Sequence, residues 1–169
     1  YAVRGLDFLI RKQFKNINSW LSYSYMINNY TFSSLEEIQF PSNFDNTHSV
    51  TLGSTYSTTF LNLSGGLNYR TGKPTSVPLT GNEVINDEIN YDQANNRRLI
   101  DFFRVDLSAT YKLQLTEGLR TELGMSVWNL LNKENAINNY YRIGTNNLPV
   151  QFSRESLGLT TNFMIRFYF

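Results

Sequence analysis

Read for a period of two, the chain resolves into seven segments in which apolar or small residues alternate with polar ones. The clearest is 61–70, where Leu61, Leu63, Gly65, Leu67 and Tyr69 alternate with Asn62, Ser64, Gly66, Asn68 and Arg70. Phe103, Val105, Leu107, Ala109 and Tyr111 alternate in the same way with Arg104, Asp106, Ser108, Thr110 and Lys112, and Val50, Leu52, Ser54 and Tyr56 with Thr51, Gly53 and Thr55. At the end of the chain, Leu157, Leu159, Thr161, Phe163, Ile165, Phe167 and Phe169 oppose Gly158, Thr160, Asn162, Met164, Arg166 and Tyr168. Three further segments are less regular and centre on Leu6–Phe8–Ile10, Leu21–Tyr23–Tyr25–Ile27 and Leu119–Leu123–Met125–Val127. No segment carries a helical stripe. The pattern predicts seven antiparallel strands, greasy on one face and wet on the other. Alternation alone fits a soluble sheet with one face in a core as well as it fits a membrane β-barrel wall.

The connections separate these two readings. Turns at 14–18, 57–60 and 114–118 are tight, whereas 29–47, 71–100 and 130–156 are long. Short and long alternate strictly, which places every short turn at one end of the sheet and every long loop at the other. An outer-membrane barrel has this asymmetry, with short periplasmic turns and long external loops. A soluble sandwich meets the same solvent at both ends and has no physical reason to produce it. With short turns periplasmic, seven strands carry the carboxyl terminus to the periplasm, and for that reason 139–143 is assigned to the last long loop rather than to an eighth barrel strand. Phe14, Tyr56, Phe60, Tyr111 and Phe169 then fall near the short-turn end and Tyr69 and Phe103 near the long-loop end, as two interfacial girdles would.

Composition narrows the chemistry. Charged residues are 17% against a usual value of about 25%, and aromatics reach 15%, a strand-forming balance. Net charge is +1 with no basic run, so nucleic acid is not an expected partner. No cysteine and a single histidine, His48, exclude a Cys/His zinc site, disulfides and a Cys-His nucleophile pair. No apolar run approaches the about 18 residues of a membrane helix, but a membrane β-strand needs only about 9–11. The chain starts at Tyr1, without initiator Met or signal peptide, and is expected to begin in the middle of something larger.

Several groups invite a catalytic reading. His48 with Asp45, and Ser42 or Ser49 as nucleophile, sit at a loop-to-strand junction where Asn, Asp and Ser ordinarily build turns. Glu36-Glu37 and Asp87-Glu88 could hold calcium through oxygens, yet they lack ligand spacing and read as solvated loop charge. Asn129 and Asn132 suit capping of a strand end, and Gly72 with Pro74 suits a strand exit using positive φ and a ladder stop. No enzymatic activity, catalytic residue, cofactor or metal ligand set is expected. The wet-face row Arg70, Arg104, Asp106, Lys112, Arg120 and Glu122 requires water or partners, and a lumen or plug-facing surface supplies both.

The stretch Phe44-Asp-Asn-Thr-His48-Ser-Val-Thr-Leu52-Gly, the exit Tyr69-Arg70-Thr-Gly72-Lys-Pro74, the strand Arg104-Val-Asp106-Leu-Ser-Ala-Thr-Tyr111 and the run Val127-Trp-Asn129-Leu-Leu-Asn132 are similar, in this order, to the late barrel strands of TonB-dependent outer-membrane receptors of the Bacteroidota type. A terminal Phe169 completes the resemblance. It implies an all-β, antiparallel transmembrane β-barrel of about 22 strands, of which these would be about the last seven. Residues 1–169 would then be a partial barrel domain in the bacterial outer membrane with a periplasmic carboxyl terminus, the plug domain and earlier strands lying outside this chain. Implied partners are outer-membrane lipid, those missing strands and plug, a TonB-type energy-coupling protein acting through an absent segment, the barrel-assembly machinery and a surface lipoprotein. Phe163, Ile165, Phe167 and Phe169 would serve as assembly signal. Three functions stay open: import of a large nutrient (siderophore, corrinoid, glycan or peptide), a receptor-like structural or assembly-associated barrel without transport, and a soluble β-sandwich binding module.

Overall fold

A computed structural model of the chain describes residues 1–34 and 39–169, so Glu36 and Glu37 lie outside the described residues. Among the described residues fourteen strands occur in the order β1 (Ala2–Phe14), β2 (Ile17–Thr31), β3 (Gln39–Pro41), β4 (His48–Ser57), β5 (Leu61–Arg70), β6 (Pro74–Thr75), β7 (Val84–Ile85), β8 (Glu88–Ile89), β9 (Arg97–Arg98), β10 (Phe102–Thr116), β11 (Leu119–Trp128), β12 (Ala136–Ile143), β13 (Pro149–Glu155) and β14 (Thr160–Tyr168). The main sheet is an antiparallel meander, β1-β2-β4-β5-β10-β11-β14, with β3 paired to the end of β2. Its seven long strands are the seven alternating segments. The segment 139–143 is a strand, but β12 pairs with β13 in a separate hairpin, off the main sheet.

Register decides whether the seven alternations add up, because a slip of one residue would turn a strand over. They do. One rung, Phe14–Ile17–Tyr56–Leu63–Ala109–Met125–Phe163, crosses all seven strands on apolar or small side chains alone. A second runs Ile10–Leu21–Leu52–Leu67–Val105. On the opposite face Arg11–Trp20–Gly53–Gly66–Asp106 forms a rung of two charged residues, two glycines and Trp20, whose indole lies over Gly53. β10 and β11 keep this register to Gln114, where a bulge shifts the last pair before the turn.

Among the described residues neither face of this sheet packs against a second layer. Leu99 and Phe102 are the buried hydrophobic residues among those described, and both sit at the long-loop end. Leu6, Phe8, Leu52, Leu63, Leu107, Met125, Phe163 and Ile165 are all exposed on the apolar face. The accessible surface is 11919 Å² for a mass of 19.6 kDa, whereas a compact monomer of that mass exposes about 8,600 Å². The excess is what a single open layer displays. Among the described residues no helix is long and apolar enough to cross a membrane, a statement that does not bear on strands.

Short turns bound one end of the sheet. Lys15 takes a left-handed φ of 49° in the turn after β1, and Thr58 closes the turn after β4 by bonding the Leu61 amide and carbonyl. The long connections at the other end carry their own hairpins, β6 with β9, β7 with β8, and β12 with β13. Asn86 and Asp87 both hold positive φ in the two-residue β7–β8 turn, the arrangement a type I′ hairpin demands.

Candidate functional site

The wet-face row forms two clusters separated by small side chains. Near the long loops, the Arg104 guanidinium contacts the Asp106 carboxylate at 2.9 Å, and the second oxygen of Asp106 accepts from the Asn129 amide at 2.9 Å. Arg70 lies over the Phe102 ring at 4.3 Å and Arg104 over Trp128 at 5.9 Å, so each cation has an aromatic or ionic partner. Near the short turns, Arg120 lies over Tyr168 at 4.4 Å, and the Tyr168 hydroxyl donates to Glu122 at 3.0 Å. Lys112 faces Glu122 across β10 and β11. Arg166 is 3.9 Å from the Glu122 carboxylate and belongs to this cluster, although the row read from sequence omitted it. Ser64, Gly66, Ser108, Gly124 and Ser126 occupy the middle of the same face.

Phe163, Ile165 and Phe167, all three exposed, stand on the apolar face of β14 opposite Met125, Leu123 and the buried Thr121, and Phe169 follows at the short-turn end. Among the described residues β14 has β11 on one side and no strand on the other. β1 is the matching edge at the far side of the sheet.

At the long-loop end the three connections are stitched together by polar side chains. Asp45, 3% exposed, accepts from the Asn28 amide at 2.8 Å and forms an ion pair with Arg98 from the second loop. Arg98 also donates to the carbonyls of Asp45 and Gly72, both at 3.0 Å. A guanidinium is suited to this, since its fork serves several oxygens at once. Asn95, held at φ 55°, donates to the Pro41 carbonyl at 2.7 Å and to the Asn43 side chain at 2.6 Å. Asp101 accepts from the Tyr69 hydroxyl at 2.7 Å and the Gly72 amide at 2.9 Å, while Lys133 of the third loop donates to the Asp101 carbonyl at 2.7 Å. Those two hydrogen bonds, the Tyr69 hydroxyl first, hold the Asp101 carboxyl below the usual aspartate range.

The asparagines at 129, 132 and 135 do backbone work. β10 extends beyond the end of β11, so Phe103 lacks a strand neighbour on that side. The fully buried Asn135 amide replaces it, accepting from the Phe103 N–H at 2.9 Å and donating to its carbonyl at 3.1 Å. Asn129, also buried and at φ 50°, bonds the Lys133 amide and carbonyl and the Leu157 carbonyl. Asn132 accepts from the Leu159 amide at 2.8 Å. The capping expected of Asn129 and Asn132 is present, and Asn135 joins it. Gly72 is a correction: its φ is not positive, and glycine is needed because a Cβ there would stand 1.7 Å from the Leu99 carbonyl oxygen.

The triad reading of His48 fails on geometry. Its Nδ1 meets the Tyr23 hydroxyl at 3.0 Å and its ring packs against Tyr25 at 5.3 Å, while Asp45 is committed to Arg98. Ser42 is buried and accepts from the Phe44 amide. No group of three or more His, Cys, Asp or Glu converges among the described residues.

Between the stitched loops lies a cavity of about 560 Å³ with walls from all three: Asn43 and Phe44, then Lys73 to Ser76 with Tyr91, Asp92, Ala94 and Asn95, then Ile137 to Tyr141. Tyr91 and Tyr141 meet edge to face at 6.3 Å across the second and third loops. Ile137 also lines a smaller cavity of about 300 Å³ that descends onto the wet face beside Arg70, Arg104, Thr51 and Asn68. The two share Ile137 as part of their walls. Sequence reading could not find this cavity, since its walls are brought together from positions about a hundred residues apart. Compared with known proteins, the chain matches no protein-family model and no curated protein.

Proposed function

We propose that this chain is part of the wall of an outer-membrane β-barrel of the TonB-dependent receptor type, about the last seven strands of about 22, serving uptake of a large nutrient. One observation carries the reading: a continuous seven-stranded meander whose apolar face exposes large side chains on every strand, with every long loop at one end. In water such a face would be an association surface on every strand. In a bilayer it is the surface that lipid solvates, and the opposite face turns its ion pairs toward a wet lumen and a plug. Eight residues separate Phe103 from Tyr111 on β10, about 27 Å of strand and, at a tilt of about 40°, about 20 Å of height, close to a barrel's apolar band.

Both edges require closure, because each unpaired backbone group in hydrocarbon costs several kcal/mol. Further strands of the complete protein would supply it, with the carboxyl terminus periplasmic and Phe163 to Phe169 presented to the assembly machinery. Energy coupling through a TonB-type protein, and a surface lipoprotein at the loops, belong to this same proposal. A cavity among the loops that shares the Ile137 wall with a second cavity on the wet face favours ligand uptake over a barrel with only a structural role.

The test is electrophoretic. The complete protein, taken from the outer-membrane fraction, should migrate faster in dodecyl sulfate when unheated than when boiled, because a closed barrel resists the detergent. Recovery from the soluble fraction with identical migration before and after boiling would refute the membrane reading.

A further inference from the structure

We propose that the apolar face carries a site for one phospholipid of the periplasmic leaflet, its phosphate held at Lys12 and an acyl chain laid in a groove that crosses β4 to β11. The proposal rests on the membrane reading above, with the short turns periplasmic, and adds a particular lipid where that reading needs only a bulk one. The first observation is a polar trio on the lipid side. Lys12 alternates with Ile10 and Phe14 and so belongs to the apolar face, and the register sets it beside Ser19 of β2 and then Ser54 of β4. Among the described residues Lys12 forms no ion pair. The Ser19 and Ser54 hydroxyls share a hydrogen bond at 2.8 Å, which uses one O–H donor of the pair and leaves the other to give. An ammonium and a spare hydroxyl donor that face lipid call for an anion rich in oxygens, and at headgroup depth the membrane supplies one, the lipid phosphate.

The second observation is a groove that begins at the trio. It holds about 470 Å³, and Ser54 lines it together with Tyr56, Leu63, Gly65, Leu107 and Ala109. Gly65 and Ala109 leave it open, because their neighbours in the rungs are large and they are not. The groove also slopes. β1 ends at Phe14, in the same rung as Ala109, whereas β10 continues for seven residues beyond Ala109 to Thr116. With the short turns at one level, the rungs therefore climb from β1 toward β10. Lys12, two residues from the end of its strand, stands at the interface, and Leu107, midway between Phe103 and Tyr111, stands in the hydrocarbon. An acyl chain hanging from a phosphate at Lys12 follows that slope. A second copy of the chain does not answer Lys12 in the same way, since among the described residues the apolar face of the seven strands has no carboxylate to bring to it.

The measurement is native mass spectrometry of the complete protein, delipidated in detergent and titrated with palmitoyl-oleoyl phosphatidylglycerol, palmitoyl-oleoyl phosphatidylethanolamine and palmitoyl-oleoyl glycerol, which has no phosphate. One phospholipid should be retained per protein at least about tenfold more tightly than the glycerol, and the two headgroups should agree within about threefold, because the phosphate is what they share. Lys12→Gln should weaken retention about tenfold, as loss of a charged hydrogen bond does, and Ser19→Ala combined with Ser54→Ala about two- to tenfold. Ala109→Phe fills the groove without touching the trio and should weaken both phospholipids about tenfold. Arg154→Gln removes the same charge from β13, far from the groove, and should stay within about twofold. Heat-modifiable migration of each variant reports barrel closure, so identical migration before and after boiling refutes the membrane reading, whereas a closed barrel with no lipid preference refutes this proposal alone. Equal retention of the glycerol and the phospholipids would overturn it, as would a Lys12→Gln variant that behaves like Arg154→Gln, or a protein dimer that holds no lipid and that Ala109→Phe dissociates.

Discussion

Replacing Leu107 by Arg asks the protein directly which solvent its apolar face meets. Leu107 sits on β10 between Gly65 and Val127, is 45% exposed, and lies four residues from Phe103 and four from Tyr111. It therefore stands midway between the two aromatic positions, about 10 Å of height from each at a strand tilt of about 40°. A guanidinium at a bilayer midplane on the lipid face costs about 2–4 kcal/mol, and the cost falls to about 0–1 kcal/mol near the interfaces. Leu107→Arg should thus cost about 2–4 kcal/mol, Tyr111→Arg about 1 kcal/mol or less, and Ala109→Arg should fall between. Ser108→Arg, one residue along but on the opposite face beside Ser64 and Ser126, should change stability by less than about 0.5 kcal/mol. The assay is reversible guanidinium-driven folding of the complete protein into short-chain lipid vesicles. In water the same exposed leucine would tolerate arginine within about 0.5 kcal/mol, and no depth dependence would arise. A flat series across 107, 109 and 111, or equal cost at 107 and 108, would refute both the facing and the membrane assignment.

Three further outcomes follow from the loop stitching. Gly72→Ala forces the Leu99 carbonyl or the Gly72 backbone to move, since the new Cβ would come within 1.7 Å of that oxygen; we expect a loss of about 1–3 kcal/mol, seen as faster proteolysis within 71–101 while the barrel persists. Arg98→Met strands the buried Asp45 carboxylate and should cost about 3 kcal/mol, whereas Arg98→Met combined with Asp45→Asn should cost less than Arg98→Met alone, because the uncompensated charge is gone; urea-dependent protease protection of 32–47 distinguishes additive from non-additive behaviour. The folded-state pKa of Asp101 is depressed, so its contribution to loop protection is present above the ordinary aspartate value and is lost as pH falls through the lowered one. Protection that does not weaken across that acid window, or that weakens equally in Asp101→Asn, would contradict the assignment.

The parts of this molecule that were legible from sequence are those governed by local period. Alternation in 61–70 and 103–112 needs only neighbouring residues to be seen, and a consistent pair of faces on seven segments left one register in which all apolar sides coincide. Even the irregular segment around Leu6, Phe8 and Ile10 joined the same face, because β2 imposes its register on it. What could not be seen depends on pairing at a distance. Asp45 and Arg98 are separated by 53 positions, and nothing local to either marks it as half of an ion pair. Arg166 looked like one more wet-face residue until Glu122 and Tyr168 came beside it. A weak signal did exist for the asparagines. Asn is among the few residues at ease with left-handed backbone, and its repeat at 129, 132 and 135 is a pattern of backbone substitution rather than of solvation.

The loop stitching bears on affinity as well as on stability. Connections as long as 32–47, 71–101 and 129–159 would ordinarily be expensive to order around a ligand, and that ordering would be subtracted from the binding free energy. Here much of it is settled in the unliganded fold. Arg98 and Asn95 tie the second loop to the first, Lys133 and the Tyr91–Tyr141 contact tie it to the third, and Asp101 and Asn135 anchor the group to the tops of β5 and β10. Asn95 lines the cavity and also holds Pro41 and Asn43 in place, so the wall and the brace are partly the same residue. A ligand entering this space meets preset aromatic faces and amides, and it needs to immobilise few of them. Cutting the braces at Arg98, outside the cavity wall, should therefore weaken a ligand that Arg98 does not contact, and the loss should appear as a faster dissociation rate rather than a slower association. If Arg98→Met left ligand dissociation unchanged in a barrel of intact heat-modifiable migration, the loops would have to organise themselves by some means other than these bonds.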